Sequence, residues 1–326
     1  MSNEESRGCL KTGCWGCVAV LGLGFVGMLV LSGVAFVSAN VEAEPTTDSA
    51  SYDLPREPLL ESARPDNIAT EEQLSDVRQS LDLQTQAVVS TGVGTLELDL
   101  SAGSFTLVPV EADEELEVIA DYDKARYRLT EEFEQAEGGD WTYRVKFSAR
   151  RSVMFGAGPE SRVEIRVPKG HPLSILGEIK MGQAEMDFGG LALKAVDLQT
   201  GMGEFEFDIS EPTPVPAERF RVSGRMGQLT VDSLGNASPE AAELRFRMGE
   251  VSVDLEGSWR NDSQISIRCS MGECGARVPE DVFVDVDASA AMGGRSVRLP
   301  DQSAVPEGAP TLAVKVVTSM GEARIR

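Results

Sequence analysis

Polar and apolar residues alternate with a period of two over much of this chain. Five such segments precede residue 170: TLELDL at 95–100, SFTLVPV at 104–110, ELEVIADY at 115–122, WTYRVKFSA at 141–149 and SRVEIRV at 161–167. Each segment is bounded by glycine, proline or charged residues, which is typical of strands with one buried face. The pattern predicts an all-β domain over residues 88–326, and it leaves a hairpin-based sandwich open for residues 88–167.

A Met-Gly dipeptide recurs seven times after residue 180. It begins at Met181, Met202, Met226, Met248, Met271, Met292 and Met320, with spacings of 21, 24, 22, 23, 21 and 28 residues. A near-constant period of this length indicates stacked repeats, each of which is one supersecondary unit.

The alternation changes phase at each of these glycines. In one repeat, Leu244 and Phe246 precede the dipeptide, whereas Val251 and Val253 follow it. A strand that changes phase at a glycine turns a corner while the same face stays inward. We therefore predict that methionine is a flexible inward filler and that glycine forms each corner: Gly182, Gly203, Gly227, Gly249, Gly272, Gly293 and Gly321.

Stacked in parallel, these repeats predict a single-stranded parallel β-solenoid with a continuous apolar column. Two segments carry a resemblance to a known domain: VEIRVPKGHPLSILGEIKMGQAEMD (163–187) and GECGARVPEDVFVDVDASAAMGG (272–294). In both, a strand ends in Val-Pro, a turn follows, and a further strand leads to a glycine corner.

On these segments, residues 91–326 resemble the toastrack-type β-solenoid domain of LiaF-like bacterial cell-envelope proteins. The resemblance implies a non-catalytic sensor or scaffold at the envelope, beside membrane partners, with no catalytic residues to carry over. Many such proteins have several membrane helices, whereas this chain has one candidate.

That candidate is the uncharged stretch at residues 15–39, which is long enough to cross a bilayer as one helix. Arg7 and Lys11 precede it and acidic residues follow it, which places residues 1–14 in the cytoplasm and the β domain outside. A cleaved signal peptide is the alternative, because Val37-Ser38-Ala39 has small residues of the cleavable kind. The length of the apolar run favours an anchor.

Two further segments separate the membrane helix from the β domain. Residues 40–69 are rich in Glu, Pro, Ser and Thr and predict an unstructured linker. Residues 70–87 contain a capping-box pattern and helical apolar spacing, which predict a short helix that caps the first end of the solenoid.

The charge of the chain excludes one class of partner. There are 53 acidic and 30 basic residues, for a net charge of -23. Nucleic-acid binding needs clustered positive charge, so we expect no nucleic-acid partner. No cofactor is predicted either, since the sequence has no phosphate-binding Gly-x-x-x-x-Gly-Lys-Ser/Thr loop and only one histidine, His171, in a Pro-flanked turn.

A charged residue stands six places after each methionine of the repeat. The first four are Asp187, Asp208, Asp232 and Asp254, and the next three are Arg277, Arg298 and Arg326. Stacked carboxylates repel, so they predict either a bound calcium ion, or pairing with Arg225, Arg245 and Arg247, or hydrogen bonds from turn backbone N–H groups. Two acids of a glycan-cleaving solenoid are a further alternative, although a residue that recurs in every repeat is more typical of a structural role.

Five cysteines fall into two groups. Cys9, Cys14 and Cys17 lie beside the membrane segment, where metal binding, acylation and free thiols all stay open. Cys269 and Cys274 flank the corner at Met271 and are expected to point inward, either as a disulfide or as two buried thiols.

The sequence ends at Arg326, one strand after the last corner. This position predicts an unpaired edge on residues 312–326, through which the solenoid stacks on a second copy or on a partner protein. Function is therefore expected to be a membrane-anchored scaffold or sensor that binds a protein or wall component. A carbohydrate-active enzyme or a self-assembling spacer is the alternative.

Overall fold

The computed structural model describes residues 46–52, 54, 92–150 and 161–326. These residues form a mostly parallel β structure with two short 3-10 turns, at Leu234–Asn236 and Gln302–Ala304. The strands are β1 (Thr46–Tyr52), β2 (Gly94–Leu100), β3 (Gly103–Val110), β4 (Leu116–Tyr122), β5 (Tyr127–Gln135), β6 (Trp141–Ala149), β7 (Arg162–Pro168), β8 (Leu173–Asp187), β9 (Leu193–Asp208), β10 (Arg219–Asp232), β11 (Ala241–Asp254), β12 (Ser263–Arg277), β13 (Phe283–Val297) and β14 (Thr311–Ile325).

Strands β8 to β14 each contain one Met-Gly dipeptide and pair in parallel with their neighbours. Methionine pairs with methionine and glycine with glycine at every interface, for example Met226 with Met202 on one side and with Met248 on the other. We call each such strand with its following turn a coil, the residues before the dipeptide the first arm, and those after it the second arm. The coils form a solenoid-like stack, as the repeat predicts.

The bend in each coil depends on glycine. At Gly249 the backbone has φ of +129°, and an added Cβ would overlap the carbonyl oxygen of Gly227 in the neighbouring coil. A side chain is therefore excluded both by the positive φ and by the close backbone contact. At each of the other corner glycines, an added Cβ would likewise overlap the carbonyl oxygen of the corner glycine in one neighbouring coil.

The apolar residues of both arms face one continuous core. Leu244 and Phe246 of the first arm and Val251 and Val253 of the second arm are at most 3 % exposed. The turns complete the core, since Leu255 and Trp259 after β11 are also buried there. The phase change at the corner thus keeps one face of the bent strand inward.

Two more coils precede the first Met-Gly repeat in the stack. Strand β2 pairs with the first arm of β8, and β3 pairs with its second arm, so that Gly103 lies opposite Gly182. Strands β6 and β7 pair in parallel with β2 and β3 and form the next coil outward. The coil made by β2 and β3 therefore lies between β6/β7 and β8, although it comes first in the sequence.

Beyond β6 and β7 the sheet becomes antiparallel. Strand β5 pairs with β6, β4 pairs with β7, and β1 pairs with β4. The prediction that residues 40–69 are unstructured is wrong for residues 46–52. The segment TTDSASY has no apolar run to reveal it, but its backbone pairs with the free edge of β4, and Tyr52 stacks on Phe133.

The opposite end of the stack has an unexpected strand order. Strand β14 pairs with β12 on one side and with β13 on the other, so β13 is the outermost coil. The prediction of an unpaired edge on residues 312–326 is wrong, because both edges of β14 are paired. The free edge belongs to β13 instead, and association through the end of the stack stays a prediction.

Several predicted features lie outside the described residues. These are the cytoplasmic segment 1–14, the membrane helix 15–39, the cap at 70–87 and the three N-terminal cysteines. Within the part of the chain that the structure describes, there is no helix that is long and apolar enough to span a membrane.

Candidate binding face

The corner methionines lie on the outside of the stack, so their prediction as inward fillers is wrong. Their exposed fractions are 48 % for Met181, 45 % for Met202, 44 % for Met226, 42 % for Met248, 40 % for Met271, 37 % for Met320 and 63 % for Met292. The terminal Met292 has a methionine neighbour on one side only and is the most exposed. The seven side chains form one exposed row, which we call the methionine ridge.

The corner does not require methionine. In the coil of β2 and β3, the corner is Ala102-Gly103, and the glycine has φ of +150° as in the other coils. The apolar residues Leu98, Leu100, Phe105 and Leu107 occupy the usual inward positions around it. The bend therefore requires glycine, whereas it does not explain why methionine precedes that glycine in the other coils.

Arginines are concentrated on the outer face of the first arm of three neighbouring coils. We call this surface the basic face; it consists of Arg219, Arg221 and Arg225 on β10, Arg245 and Arg247 on β11, and Arg268 on β12. All six are exposed. In-register pairing of β10, β11 and β12 brings them together, and the only acidic residue on the same face of these three arms is Glu243.

Some of this charge is balanced by neighbours. Arg221 is 3.2 Å from both Asp197 and Glu243, and Arg245 also contacts Glu243. Within the described residues, Arg219, Arg247 and Arg268 form no ion pair. A shallow groove of about 510 Å³ lies over this face and is lined by Arg219, Arg221, Arg268 and Lys315 among others.

Sequence reasoning missed the basic face, although a signal was present. Arginine recurs at one, three, five or seven places before the methionine in three successive repeats, and these positions all point outward. The prediction that Arg225, Arg245 and Arg247 pair with the aspartate ladder is wrong, because Arg225 contacts Glu178 and Arg245 contacts Glu243, both on first arms.

The aspartate ladder lies on the outer side of the second arms. Asp187 is in register with Asp208, and Asp208 with Asp232, while Asp254 is in register with Arg277. Burial, and then the neighbouring Asp187 carboxylate, raise the pKa of Asp208. The pKa of Asp232 is also raised, by burial and by Asp208, Glu206 and Asp254.

The two ends of this ladder accept hydrogen bonds from turns. Asp187 accepts from Gly189 N at 2.8 Å and from Ser210 N at 3.2 Å, and Asp254 accepts from Glu256 N at 2.9 Å. Arg277 also reaches Asp254 at 3.4 Å. In the described residues no three His, Cys, Asp or Glu side chains are grouped so as to hold a metal ion, so calcium gains no support here.

Cys269 and Cys274 are joined by a disulfide, with their Cα atoms 6.1 Å apart. Both sulfur atoms point inward, since the two residues are 4 % and 0 % exposed. The bond links the first arm to the second arm of β12 across the corner at Met271.

A second cavity, of about 550 Å³, lies toward the other end of the stack. Its carboxylates are ion-paired: Glu97 with Arg144 at 2.7 Å, and Asp99 with Lys146 at 3.0 Å. Such pairing is typical of a solvated charge ladder and gives no pair of acids free for glycoside cleavage. His171 lies in the turn between β7 and β8.

No protein-family profile and no curated protein matches this chain. Solved structures do show distant likeness. A candidate cell-adhesion protein from Clostridium sporogenes has a TM-score of 0.43 and 12 % identity over 86 % of this chain and 99 % of its own. A candidate adhesin from Bacteroides fragilis has a TM-score of 0.38 and 10 % identity over 86 % of this chain and 97 % of its own. A candidate adhesin from Parabacteroides merdae has a TM-score of 0.30 and 9 % identity over 87 % of this chain and 98 % of its own. Similarity at this level is too distant to indicate a function.

Proposed function

We propose that this chain is a membrane-anchored, extracytoplasmic, non-catalytic scaffold whose basic face binds an acidic polymer of the cell envelope. The observation that carries the proposal is the concentration of six arginines on three adjacent coils of a protein with a net charge of -23. Three of these arginines have no acidic partner among the described residues. A protein that needed charge only for solubility would not group cations in this way.

The spacing of the face suits a repeating ligand. Neighbouring coils are about 4.8 Å apart, and Arg245 is in register with Arg268, so the guanidinium groups are spread over one surface rather than gathered in one pocket. A guanidinium group binds carboxylate or phosphate through two parallel hydrogen bonds. A linear polymer with repeated carboxylate or phosphate groups therefore fits the face better than a small anion does.

The rest of the fold supports binding rather than catalysis. The charged residues recur coil by coil, and the groove over the basic face is shallow and open to solvent. The membrane anchor at residues 15–39 is part of the proposal, since it would hold the face close to the envelope.

The test uses the full-length chain in detergent. Binding is measured by biolayer interferometry to immobilised polygalacturonate and polyglycerol phosphate, with neutral dextran as the negative surface. We expect Arg219→Gln/Arg247→Gln/Arg268→Gln to weaken binding at least tenfold, because it removes the three unpaired cations. The matched control is Arg298→Gln/Arg324→Gln/Arg326→Gln, which removes the same charge from second arms.

Equal loss in both triple variants would show attraction by overall charge only and would contradict the proposal. Unchanged binding in the first variant would contradict it directly.

A further inference from the structure

The methionine ridge is retained where its neighbours vary. The inward position three places after the methionine is occupied in turn by Ala184, Phe205, Leu229, Val251, Cys274, Arg295 and Ala323. Methionine itself stands at the corner of every strand from β8 to β14, although the Ala102 corner has the same glycine geometry without it. A merely apolar ridge would accept leucine or valine in some coils. The property that only methionine supplies among these residues is its thioether sulfur.

Strand order makes one part of the ridge distinct. Because β14 lies between β12 and β13, Met320 is in register with Met271 on one side and with Met292 on the other. Neighbouring strands are about 4.8 Å apart, and each methionine side chain has three rotatable bonds. Three sulfur atoms from three coils can therefore turn toward one point.

The local charge also differs along the ridge. The residues just before Met271, Met320 and Met292 are Ser270, Ser319 and Ala291, which are small and uncharged. The residues before Met181, Met226 and Met248 are Lys180, Arg225 and Arg247, which would repel a cation. Only the end of the ridge near β13 combines three consecutive thioethers with no positive residue directly before any of them.

The charged residues near this end of the ridge balance one another. Glu273 and Glu322 stand two places after Met271 and Met320, and they share Arg324 at 2.8 and 3.1 Å. Arg324 offsets one of these two carboxylates, and Arg295 on β13 adds a second positive charge, so the charge beside the sulfur atoms is balanced. The disulfide between Cys269 and Cys274 links the two arms on either side of Met271.

We propose that Met271, Met320 and Met292 form a three-thioether site for a soft monovalent cation, Cu(I) or Ag(I). Soft thioether sulfur selects such ions over calcium or magnesium, which prefer oxygen. A thioether carries no proton to lose, so binding does not depend on ligand deprotonation. The site is independent of the basic face, which lies on the first arms.

The test uses the full-length chain in detergent with Cys9→Ser/Cys14→Ser/Cys17→Ser, since free thiols bind the same ions more tightly. Silver nitrate is titrated in chloride-free buffer while the ¹³C-methyl methionine signals are recorded by NMR. We expect the signals of Met271, Met292 and Met320 to shift together up to one equivalent. Met186, which is 2 % exposed, is the internal control.

We expect Met320→Leu to weaken silver binding at least tenfold, because it removes the central ligand of the three. The matched control, Met226→Leu/Met248→Leu, removes two ridge sulfurs beside Arg225 and Arg247 and should leave binding unchanged. Circular dichroism checks that each variant is folded. Oxidation of the ridge with hydrogen peroxide, which converts each thioether to a sulfoxide and releases water, should also abolish the shift.

Two outcomes would overturn the proposal. One is silver binding by Met320→Leu with the affinity of the parent chain. The other is a shift spread equally over all seven ridge methionines, which would show unselective contact with exposed sulfur.

Discussion

The two ends of the stack are closed in different ways. At the end formed by β1, β4, β5 and β6, which we call the aromatic end, rings pack in a chain: Tyr52 on Phe133, Phe133 on Trp141, and Phe147 against Phe105, Tyr122 and Tyr127. At the end formed by β13, the open end, the inward residues include Ala288 and Ala290, and no ring contact is found among its described residues. Large buried surfaces therefore stabilise one end and not the other.

At the open end, charged residues instead disfavour the pairing of another strand with the free edge. Arg295 stands in register with Ala323, at a position that is buried and small or apolar in the other coils. Asp285 and Asp287 are exposed along the same strand, and Asp287 pairs with Lys315 at 2.6 Å. Inward-pointing and edge charges are a known means to keep a free strand from pairing with another molecule. One end of the stack is thus closed by packing, and the other by charges that disfavour the pairing of further strands.

The largest expected effect is at the aromatic end. Phe147→Ala should lower the free energy of unfolding by about 3–5 kcal/mol, because a fully buried ring with three aromatic neighbours is removed. Val286→Ala at the open end, where the side chain is half-buried, should cost less than about 1.5 kcal/mol. Urea denaturation of both variants checks the difference. Similar losses would mean that the two ends are equally well packed.

A smaller effect is expected when the charge of Arg295 at the open end is removed. Arg295 is exposed, and Arg295→Val replaces its charge with an apolar residue. We expect concentration-dependent dimers, with an association constant at least tenfold above that of the parent chain. Arg298→Val is the control, since it removes the same charge from an outward position. Sedimentation velocity of the full-length chain in detergent measures both. Association of both variants alike would contradict a specific role for Arg295.

The smallest effect concerns the carboxylates between the ends. Asp232 has a raised pKa, so its contribution to stability is fully present below the unfolded pKa and is lost as pH rises through the folded pKa. Asp232→Asn should therefore stabilise the protein at pH 7, by about 0.2–1 kcal/mol, and make no difference near pH 4.

Asp99 near the aromatic end provides the opposite case. Burial alone would raise its pKa, but hydrogen bonds from Lys180 and Lys146 outweigh burial and lower it. The stability that Asp99 contributes is present at neutral pH and is lost on acidification, so Asp99→Asn should destabilise at pH 7. Thermal unfolding from pH 4 to 7 checks both variants; the same sign for the two would contradict this assignment of their surroundings.

Much of the repeat region could be predicted from the sequence, because the period and the phase change both report on the buried face. The orientation of the corner residues could not be predicted, because the alternation of inward and outward positions shifts by one residue there. The alternation therefore does not tell whether a corner methionine such as Met226 points inward or outward. The coil at Ala102 was missed because its corner lacks the methionine that marks the others. Its apolar residues at the usual positions would have revealed it.

The remaining errors concern pairing between distant segments. Alternation indicates which residues form strands but not which strands are neighbours. The sequence order of β13 and β14 therefore led to the wrong prediction that residues 312–326 form the free edge. β1 was missed because TTDSASY is polar and gains its place from backbone pairing with β4. The basic face could not be predicted without the pairing of the coils, because Arg219 and Arg268 come together only when three coils are in register.

The interleaved ends have a consequence for how the protein is completed during synthesis. β14 follows β13 in the sequence, yet it lies between β12 and β13. Likewise, β2 and β3 precede β6 and β7 in the sequence but acquire their outer neighbour only when those two strands are made. β13 therefore cannot pair with its neighbour in the stack until residues 311–325 have been synthesised. A chain cut short before residue 311 would lose an inner layer rather than an outer one, leaving β12 and β13 without a common neighbour. Insertion of β14 between β12 and β13 is thus a late, non-local step in the folding of this end.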